Sequence, residues 1–175
     1  MRQMQPNTMK RNIARLCVAL LYAVAVVFGV SLVASAGYRA AGVECPKVAC
    51  LAAVEVVNAD MPCTLDAAAL VMMNQRGQIE NCVVDGPLGF DNAISEEAAK
   101  IKKIKSPVAG KADILLVPHI DAGNMLAKGL IYFSKNETAG LIIGASAPVI
   151  LTSRADSSQS KMFSIAAAVM MAHSS

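Results

Sequence analysis

The sequence predicts an α/β protein whose sheet is mostly parallel and is covered by helices in a three-layer arrangement. Two observations support this. Residues 114–117 form a short, continuous apolar run that stops at Pro118, which is the pattern of a strand buried on both faces of a sheet. Similar apolar runs alternate along the chain with stretches of helical periodicity. Ligands of such sheets bind beyond the carboxyl ends of the strands, so the loop at 118–124 is predicted to border a site.

The composition limits the class of partner. The chain of 175 residues is 55% hydrophobic and 17% charged, whereas about a quarter of the residues are charged in a typical soluble domain. Residues 1–43 hold five basic residues and no acid, and the remainder holds 11 basic and 13 acidic residues, a net charge of −2. A mildly acidic body with few aromatic residues offers nucleic acid neither a basic face nor a stacking platform. Nucleic-acid binding is therefore disfavoured.

The five cysteines are irregularly spaced and form no CxxC pair. Together with the two histidines, His119 and His173, they complete no zinc-binding pattern, so no metal site is predicted. An odd set of cysteines in a chain with ample core is typical of small buried side chains in a reducing compartment. This pattern favours a cytoplasmic location.

The N-terminal segment favours a different location. A basic start precedes 21 apolar residues, 16–36, that end in Ala34-Ser35-Ala36. The run is long enough to span a bilayer as an apolar helix, and its end also fits a signal-peptide cleavage site. Residues 1–42 are therefore interpreted as a leader or anchor-like helix, with a signal peptide, a working membrane anchor and an accidental apolar leader as the alternatives, and residues 43–175 as the body.

The body begins with a short apolar strand after Pro46, followed by a helix. Thr64 is a plausible N-cap, and Gly77 is a good C-terminal stop. The predicted apolar face of this helix comprises Leu65, Ala68, Ala69, Met72 and Met73.

A second strand is predicted at 82–84, and the chain is expected to leave it through a turn at Asp85-Gly86-Pro87. A carboxylate at the end of a strand can face a ligand, but Asp before Gly and Pro is also a common turn signal. Asp91, in the same segment, is a candidate ligand contact or a helix N-cap. Ser95 opens or continues a further helix, in which Glu96 and Lys100 form an i,i+4 pair. The lysines that follow are interpreted as a solvated helix end rather than a cluster that steers a phosphate-bearing ligand.

The next helix is predicted over about 124–133, with Met125, Leu126, Leu130 and Phe133 on its apolar side. Gly123 and Asn124 fall at its start, where free backbone N–H groups can hold an anion, and Asn124 can also serve as an N-cap. His119 is a candidate base by residue type, but catalysis is not assigned to it.

Two more apolar strands are predicted at 139–145 and 149–152. The second ends in Ser153-Arg154 and is followed by Asp156, a cap at Ser157 and a last helix. An arginine offers a two-pronged contact for phosphate, and a helix start adds N–H donors. The predicted apolar face of the last helix comprises Met162, Ile165, Ala166, Val169 and Met170.

Three stretches carry a resemblance to the phosphate acetyl/butyryltransferase family: DGPLGFDNAISEEAA at 85–99, SPVAGKADILLVPHIDAGN at 106–124 and APVILTSRADS at 147–157. The resemblance covers residues from about 43 to about 172 and is nearest to the C-terminal part of the butyryl branch, whose members are about twice as long. It implies an isocitrate/isopropylmalate dehydrogenase-like fold and a homo-oligomer. It also implies reversible transfer of a butyryl or other short acyl group between CoA and inorganic phosphate, with acyl-CoA as a substrate and no tightly bound cofactor.

The resemblance also suggests roles for single residues. Arg154 would stabilise phosphate or the oxyanion, and Ser153 would donate a hydrogen bond to the carbonyl or to the leaving sulfur. The acid that the acetyl-specific branch places in the following helix is absent here, which leaves Asp156 as the candidate base. The substrate-binding residues implied by the match are Asp85, Gly86, Asp91, Gly123 and Asn124. The family's phosphate-binding arginines lie largely in the half that this chain does not match.

Three functions remain open at this point. The first is a phosphate acyltransferase. The second is a non-catalytic remnant that binds CoA or phosphate. The third is a binding protein tethered to a membrane through residues 16–36.

Overall fold

The structure, a computed structural model, describes residue 38, residues 41–135 and residues 137–173. The predicted leader at 1–42 lies outside the described residues, apart from residues 38, 41 and 42. Within the described part, no helix combines the length and apolar character needed to cross a membrane. The elements, in chain order, are β1 (Lys47–Leu51), α1 (Pro62–Gln75), β2 (Val83–Leu88), α2 (Phe90–Ile94), α3 (Glu96–Ile101), β3 (Ile114–Leu116), α4 (Ile120–Ser134), β4 (Leu141–Ile142), β5 (Val149–Ile150) and α5 (Ser158–Ala172).

The centre of the protein is a parallel sheet in the order β2-β1-β3. Val48 of β1 aligns with Val84 of β2 on one side and with Ile114 of β3 on the other. Alternate residues of β1 and β3 belong to two separate cores: Val48 and Ile114 pack with α1, whereas Ala49 and Leu115 pack with α2 and α3. The prediction of a parallel sheet with helices on both faces is confirmed, and the residues of β3 are buried as expected.

Helix α1 differs from the prediction at its start and in its buried face. It begins at Pro62 after Met61, so Thr64 lies inside the first turn and is not the N-cap. The buried Thr64 hydroxyl instead donates to the carbonyls of Asn58 and Met61 at 2.9 and 2.8 Å and accepts from the Asn58 N–H at 2.9 Å. The buried residues are Thr64, Ala67 and Leu70, whereas Leu65 and Met72, from the predicted face, are exposed. The predicted stop at Gly77 is confirmed by its φ of +73°.

The turn predicted at 85–87 is wrong, and the two predicted C-terminal strands are shorter than expected. Strand β2 continues to Leu88, so Asp85-Gly86-Pro87 lies within the strand and does not turn out of it. The predicted strands at 139–145 and 149–152 shrink to β4 and β5, which pair with each other and do not join the parallel sheet. They pair antiparallel because a connection of only residues 143–148 is too short for a parallel crossover.

The last helix buries a face different from the one predicted. Its buried residues are Ser160, Ser164, Ala168 and Met171, and Met162, Ile165, Val169 and Met170 are exposed. A serine hydroxyl can be buried when it is hydrogen-bonded. The Ser164 hydroxyl donates to the Ser160 carbonyl at 2.8 Å and accepts from the Gly140 N–H at 3.0 Å. On α4, Met125 and Phe133 are also exposed, so both C-terminal helices present apolar side chains outward.

Candidate functional site

The carboxyl edge of the parallel sheet is the predicted location of a site, and an open cavity of about 360 Å³ lies there. It is bounded by Leu51 after β1, Val117 after β3 and Phe90 at the start of α2. Helix α4 closes another side, because Ala122 and Leu126 line the same cavity. The loops that leave the three strands therefore converge as the α/β pattern predicted.

Asp85 and Gly86 lie within β2, where they face the neighbouring strand. The backbone of Asp85 aligns with Ala49, and its Oδ1 accepts a hydrogen bond from the Gly86 N–H at 2.9 Å. A Cβ on Gly86 would approach the Cys50 carbonyl oxygen to 2.8 Å. Gly86 is thus required by a close strand–strand approach.

The environment of Cys50 excludes it as a nucleophile. Burial, supported by the nearby charges of Asp85 and Cys82, raises the pKa of the Cys50 thiol to about 12. The thiolate is the reactive form of cysteine, so Cys50 is inert at neutral pH. Cys82, whose pKa is raised to about 11 mainly by burial, is inert for the same reason.

Asp91 is held in an ion-pair network. Lys102 Nζ lies 3.1 Å from its Oδ2 and 2.8 Å from Oε1 of Glu55, which also accepts a hydrogen bond from the Asn92 amide. The hydrogen bonds from Lys102 hold the pKa of both carboxyls below their usual values. The same two hydrogen bonds raise the pKa of Lys102. Sequence reasoning missed Glu55 because its partner Lys102 is 47 residues away.

Gly123 and Asn124 lie inside α4 and not at its start. The helix begins at Ile120, and the N-cap is His119, whose Nδ1 accepts from the Ala122 N–H at 3.3 Å. The predicted N-cap at Asn124 is therefore wrong. The Gly123 N–H donates to the His119 carbonyl at 3.1 Å, so it cannot be one of the free N–H groups at a helix start. The Asn124 side chain is exposed.

Ser153, Arg154 and Asp156 form one tight turn before α5. The Ser153 N–H donates to Asp156 Oδ2 at 2.6 Å, and the Asp156 N–H donates back to the Ser153 carbonyl at 3.1 Å. Arg154 is exposed at the tip of this turn. The predicted cap is confirmed, because Ser157 Oγ accepts from the Ser160 N–H at 3.0 Å.

Glu137 also lies at the start of α5, a position that the sequence analysis did not assign to it. Its Oε2 accepts from the Ser157 and Ser160 hydroxyls at 3.2 and 3.0 Å. A negative charge at this end complements the helix dipole. No local pattern in the sequence indicates this role of Glu137, because its partners lie 20 and 23 residues further along the chain.

The predicted site residues thus fall into separate groups. Asp91 lies in the network beside the carboxyl edge, Asp85 and Gly86 lie in β2, and Gly123 and Asn124 lie in α4. Within the described ranges, no hydrogen bond or ion pair joins the turn at 153–156 to any of these groups. The same ranges contain no cluster of three or more potential metal ligands.

Comparison with known proteins identifies several relatives. Residues 26–169 match the family described as phosphate acetyl/butaryl transferase. The chain is 56% identical over 131 residues to the phosphate acetyltransferase of Thermotoga maritima. The aligned region covers 75% of this chain and 45% of the relative. It is 57% identical over 134 residues to the phosphate butyryltransferase of Clostridium beijerinckii. This alignment covers 77% of this chain and 44% of the relative. The chain therefore spans less than half the length of these relatives.

A solved structure agrees with the sequence match. The branched-chain phosphotransacylase from Enterococcus faecalis V583 superposes with a TM-score of 0.77 at 38% sequence identity. The superposition covers 85% of this chain and 52% of that one. The similarity extends over most of the chain and about half of the solved structure.

Proposed function

Because the chain belongs to the phosphate acetyl/butyryltransferase family, we propose that it takes part in the reversible transfer of a short acyl group between CoA and inorganic phosphate. Residues 43–175 would form the C-terminal part of the acyltransferase, with an isocitrate/isopropylmalate dehydrogenase-like architecture. Acyl-CoA and phosphate would be its substrates, without a tightly bound cofactor. A cytoplasmic homo-oligomer would fit substrates that are small cytoplasmic metabolites.

The observation that supports this proposal most is the turn at 153–156. Asp156 and Ser153 hold the turn closed through two hydrogen bonds, so Arg154 is presented at a fixed tip and exposed to solvent. No ion pair engages its guanidinium within the described residues. An exposed guanidinium on a rigid turn is suited to binding an anion such as phosphate.

The three polar residues of the turn would each have a distinct role in the chemistry. Phosphate oxygen would attack the thioester carbonyl, and the carbon–sulfur bond would break as CoA leaves. Arg154 would neutralise phosphate or the developing oxyanion. Ser153 Oγ accepts from the Ala155 N–H at 3.4 Å, which leaves the hydroxyl proton free to donate to the carbonyl oxygen or the sulfur. Asp156 would exchange a proton with the CoA thiol through its Oδ1.

The other predicted residues would contact the substrate from β2 and from the helices α2 and α4. Asp85, Gly86, Asp91, Gly123 and Asn124 remain the proposed binding residues. Gly86 and Asp91 also have structural partners, Cys50 and Lys102 respectively. Asn124 would act through its exposed side-chain amide, since the neighbouring Gly123 N–H is bonded within the helix.

Binding without turnover is the second candidate function. It is favoured because, within the described residues, no hydrogen bond or ion pair joins the turn at 153–156 to the carboxyl-edge groups. A protein of this kind would hold CoA or phosphate on one group without bringing the two reactants together. A membrane-tethered binding protein would depend on residues 16–36, which lie outside the described residues.

The test is CoA release from butyryl-CoA by the full chain, measured with and without phosphate. We expect phosphate-dependent release that is lost in Arg154→Ala. Arg76→Ala is the matched control, because Arg76 is also an exposed arginine but caps the far end of α1. Release that does not respond to phosphate would overturn the acyltransferase proposal, whereas phosphate-dependent release that survives in Arg154→Ala would overturn only the role given to Arg154. CoA binding by a folded chain without any release would support the second candidate.

A further inference from the structure

The cavity at the carboxyl edge has a lining that suits an aliphatic ligand. Its walls include Leu51, Phe90, Val117 and Leu126, and none of the described residues that line it is a lysine, an arginine, an aspartate or a glutamate. No described lysine or arginine is present to pair with a phosphate group, and the histidine in the lining, His119, uses its Nδ1 to cap α4. At about 360 Å³, the cavity is at the small end of the roughly 300–1,000 Å³ range of ligand sites. Its size and chemistry therefore fit a short hydrocarbon chain.

The segment at 52–61 forms one wall of this cavity through Ala52, Ala53 and Met61, and it is fixed at three points. The Ala52 N–H donates to the Leu88 carbonyl at 2.9 Å. Glu55 binds Lys102 at 2.8 Å. Further along, the Thr64 hydroxyl bonds Asn58 and Met61. A wall held in this way is already ordered before a ligand binds, which lowers the entropy cost of binding.

The second of these contacts, between Glu55 and Lys102, is supported by a buried residue, Asn92. Glu55 accepts from the amide of Asn92, which is completely buried. A Cβ at the adjacent Gly89 would lie 2.9 Å from the Asn92 amide nitrogen and 3.0 Å from Glu55 Oε1, so a side chain there would have to displace these groups. Glu55 is thus a positioning residue for the cavity wall and does not itself line the cavity.

We propose that this cavity binds the acyl chain of an acyl-CoA, with its wall positioned by Glu55. The inference rests on the proposed function, because that function supplies the acyl thioester. Burial of each methylene is favourable by an amount that corresponds to about fourfold in affinity. A butyryl chain, with two more methylenes than acetyl, is therefore expected to bind roughly 15-fold more tightly if both are buried.

The experiment measures the affinities of the full chain for CoA, acetyl-CoA and butyryl-CoA by calorimetry. In Ala122→Leu, whose larger side chain fills the cavity, we expect the affinities for butyryl-CoA and acetyl-CoA to become equal within about twofold. Ala127→Leu is the matched control, since Ala127 lies on the same helix but does not line the cavity. Leu126→Ala is the second variant, and its enlarged cavity should increase affinity for hexanoyl-CoA relative to butyryl-CoA.

Three results would overturn the inference in distinguishable ways. Equal binding of CoA, acetyl-CoA and butyryl-CoA by the wild-type chain would remove the acyl site but leave the proposed function intact. An equal loss of all three in Ala122→Leu would assign the cavity to the pantetheine arm instead. Failure of the wild-type chain to bind any of the three would count against the proposed function as well.

The role of Glu55 is tested by Glu55→Gln, which keeps an acceptor for Asn92 but removes the ion pair with Lys102. We expect a smaller difference between butyryl-CoA and acetyl-CoA affinities and faster amide hydrogen exchange across residues 52–61. Glu96→Gln, which removes surface ion pairs of 3.7 Å with Lys100 and Lys111, is the control. Unchanged exchange in Glu55→Gln would exclude a positioning role for this carboxylate.

Discussion

The carboxylate of Asp156 accepts a hydrogen bond of 2.6 Å from the backbone N–H of Ser153, which closes the turn that presents Arg154. The same carboxylate is therefore both a structural acceptor and the candidate base of the proposed reaction. These two roles predict different results for two substitutions, because an amide can accept the hydrogen bond but cannot take up a proton at neutral pH.

Asp156→Asn is expected to keep the turn and the stability of the protein while lowering phosphate-dependent CoA release about 100-fold, within the usual contribution of a general base. Asp156→Ala should also lose about 1 kcal/mol of unfolding free energy, because the Ser153 N–H loses its partner. Urea unfolding and CoA-release rates measure the two effects. If Asp156→Asn releases CoA at the wild-type rate, Asp156 is a turn residue and not a base.

Gly86 and Gly129 are expected to respond to alanine in opposite directions. A Cβ at Gly86 would lie 2.7 Å from Cys50 Cβ, so Gly86→Ala should force β1 and β2 apart and destabilise the protein by about 3 kcal/mol, at the upper end of overpacking effects. A Cβ at Gly129, within α4, meets no atom within 4 Å. Gly129→Ala should stabilise the protein by up to about 1 kcal/mol, because alanine has the higher helix propensity.

Thermal and urea unfolding of the two variants provide the comparison. Each variant is the control for the other, since both replace a glycine by the same residue. Equal stabilities of Gly86→Ala and the wild-type protein would mean that the strands can separate at this point without cost. In that case Gly86 would not be required by the close approach to Cys50.

The parallel sheet could be predicted because its signal is local. The apolar run at 114–117 is continuous, whereas a strand with one face in water alternates apolar and polar residues, and its residues are indeed buried between two cores. The end of α1 could also be predicted from a single residue, Gly77, because glycine readily adopts the positive φ found there. The start of α4 was misplaced because His119 is a less common cap than Asn124, and the choice between them depends on the backbone before the helix.

The faces of α1 and α5 could not be predicted from periodicity. Both helices are apolar on most sides, so a 3.6-residue repeat can be drawn through several faces. On α5 the choice is made by Ser164, which is buried because it bonds both Ser160 and the distant Gly140. Likewise, the pairing of Glu55 with Lys102 joins residues 47 positions apart. Such partners are determined by the tertiary fold, and a single sequence contains no local sign of them.

The network around Lys102 predicts a pH-dependent contribution to stability. The pKa values of Glu55 and Asp91 are lowered in the folded protein, so their contribution is present above the unfolded pKa values and is lost as the pH falls through the folded ones. The pKa of Lys102 is raised, so its contribution is lost only as the pH rises through that raised value. The network should therefore stabilise the protein across neutral pH.

Lys102→Met is expected to lower the urea midpoint at pH 7 and to have no effect in acid, well below the ordinary Glu and Asp values of 4.5 and 3.8. The effect should be small because the Lys102 side chain is 44% exposed. Lys100→Met is the control, since its pair with Glu96 is longer, at 3.7 Å, and more exposed. A difference between Lys102→Met and wild type that persists unchanged into acid would show that the lysine acts through packing of its aliphatic stem.

The outward face of α5 is expected to drive self-association. Met162, Ile165 and Val169 are 64%, 48% and 51% exposed, and the nearby β5 adds Val149 and Ile150 to the exposed apolar side chains. Contiguous apolar surface of this kind marks an interaction site in a soluble protein.

Sedimentation velocity should therefore show a concentration-dependent assembly that weakens in Ile165→Glu, because a buried, unpaired carboxylate at the contact is costly. Gln159→Glu adds the same charge near the start of the helix and should leave the assembly intact. A monodisperse monomer at every concentration would contradict the prediction, and equal weakening by both variants would assign the effect to net charge and not to the apolar face.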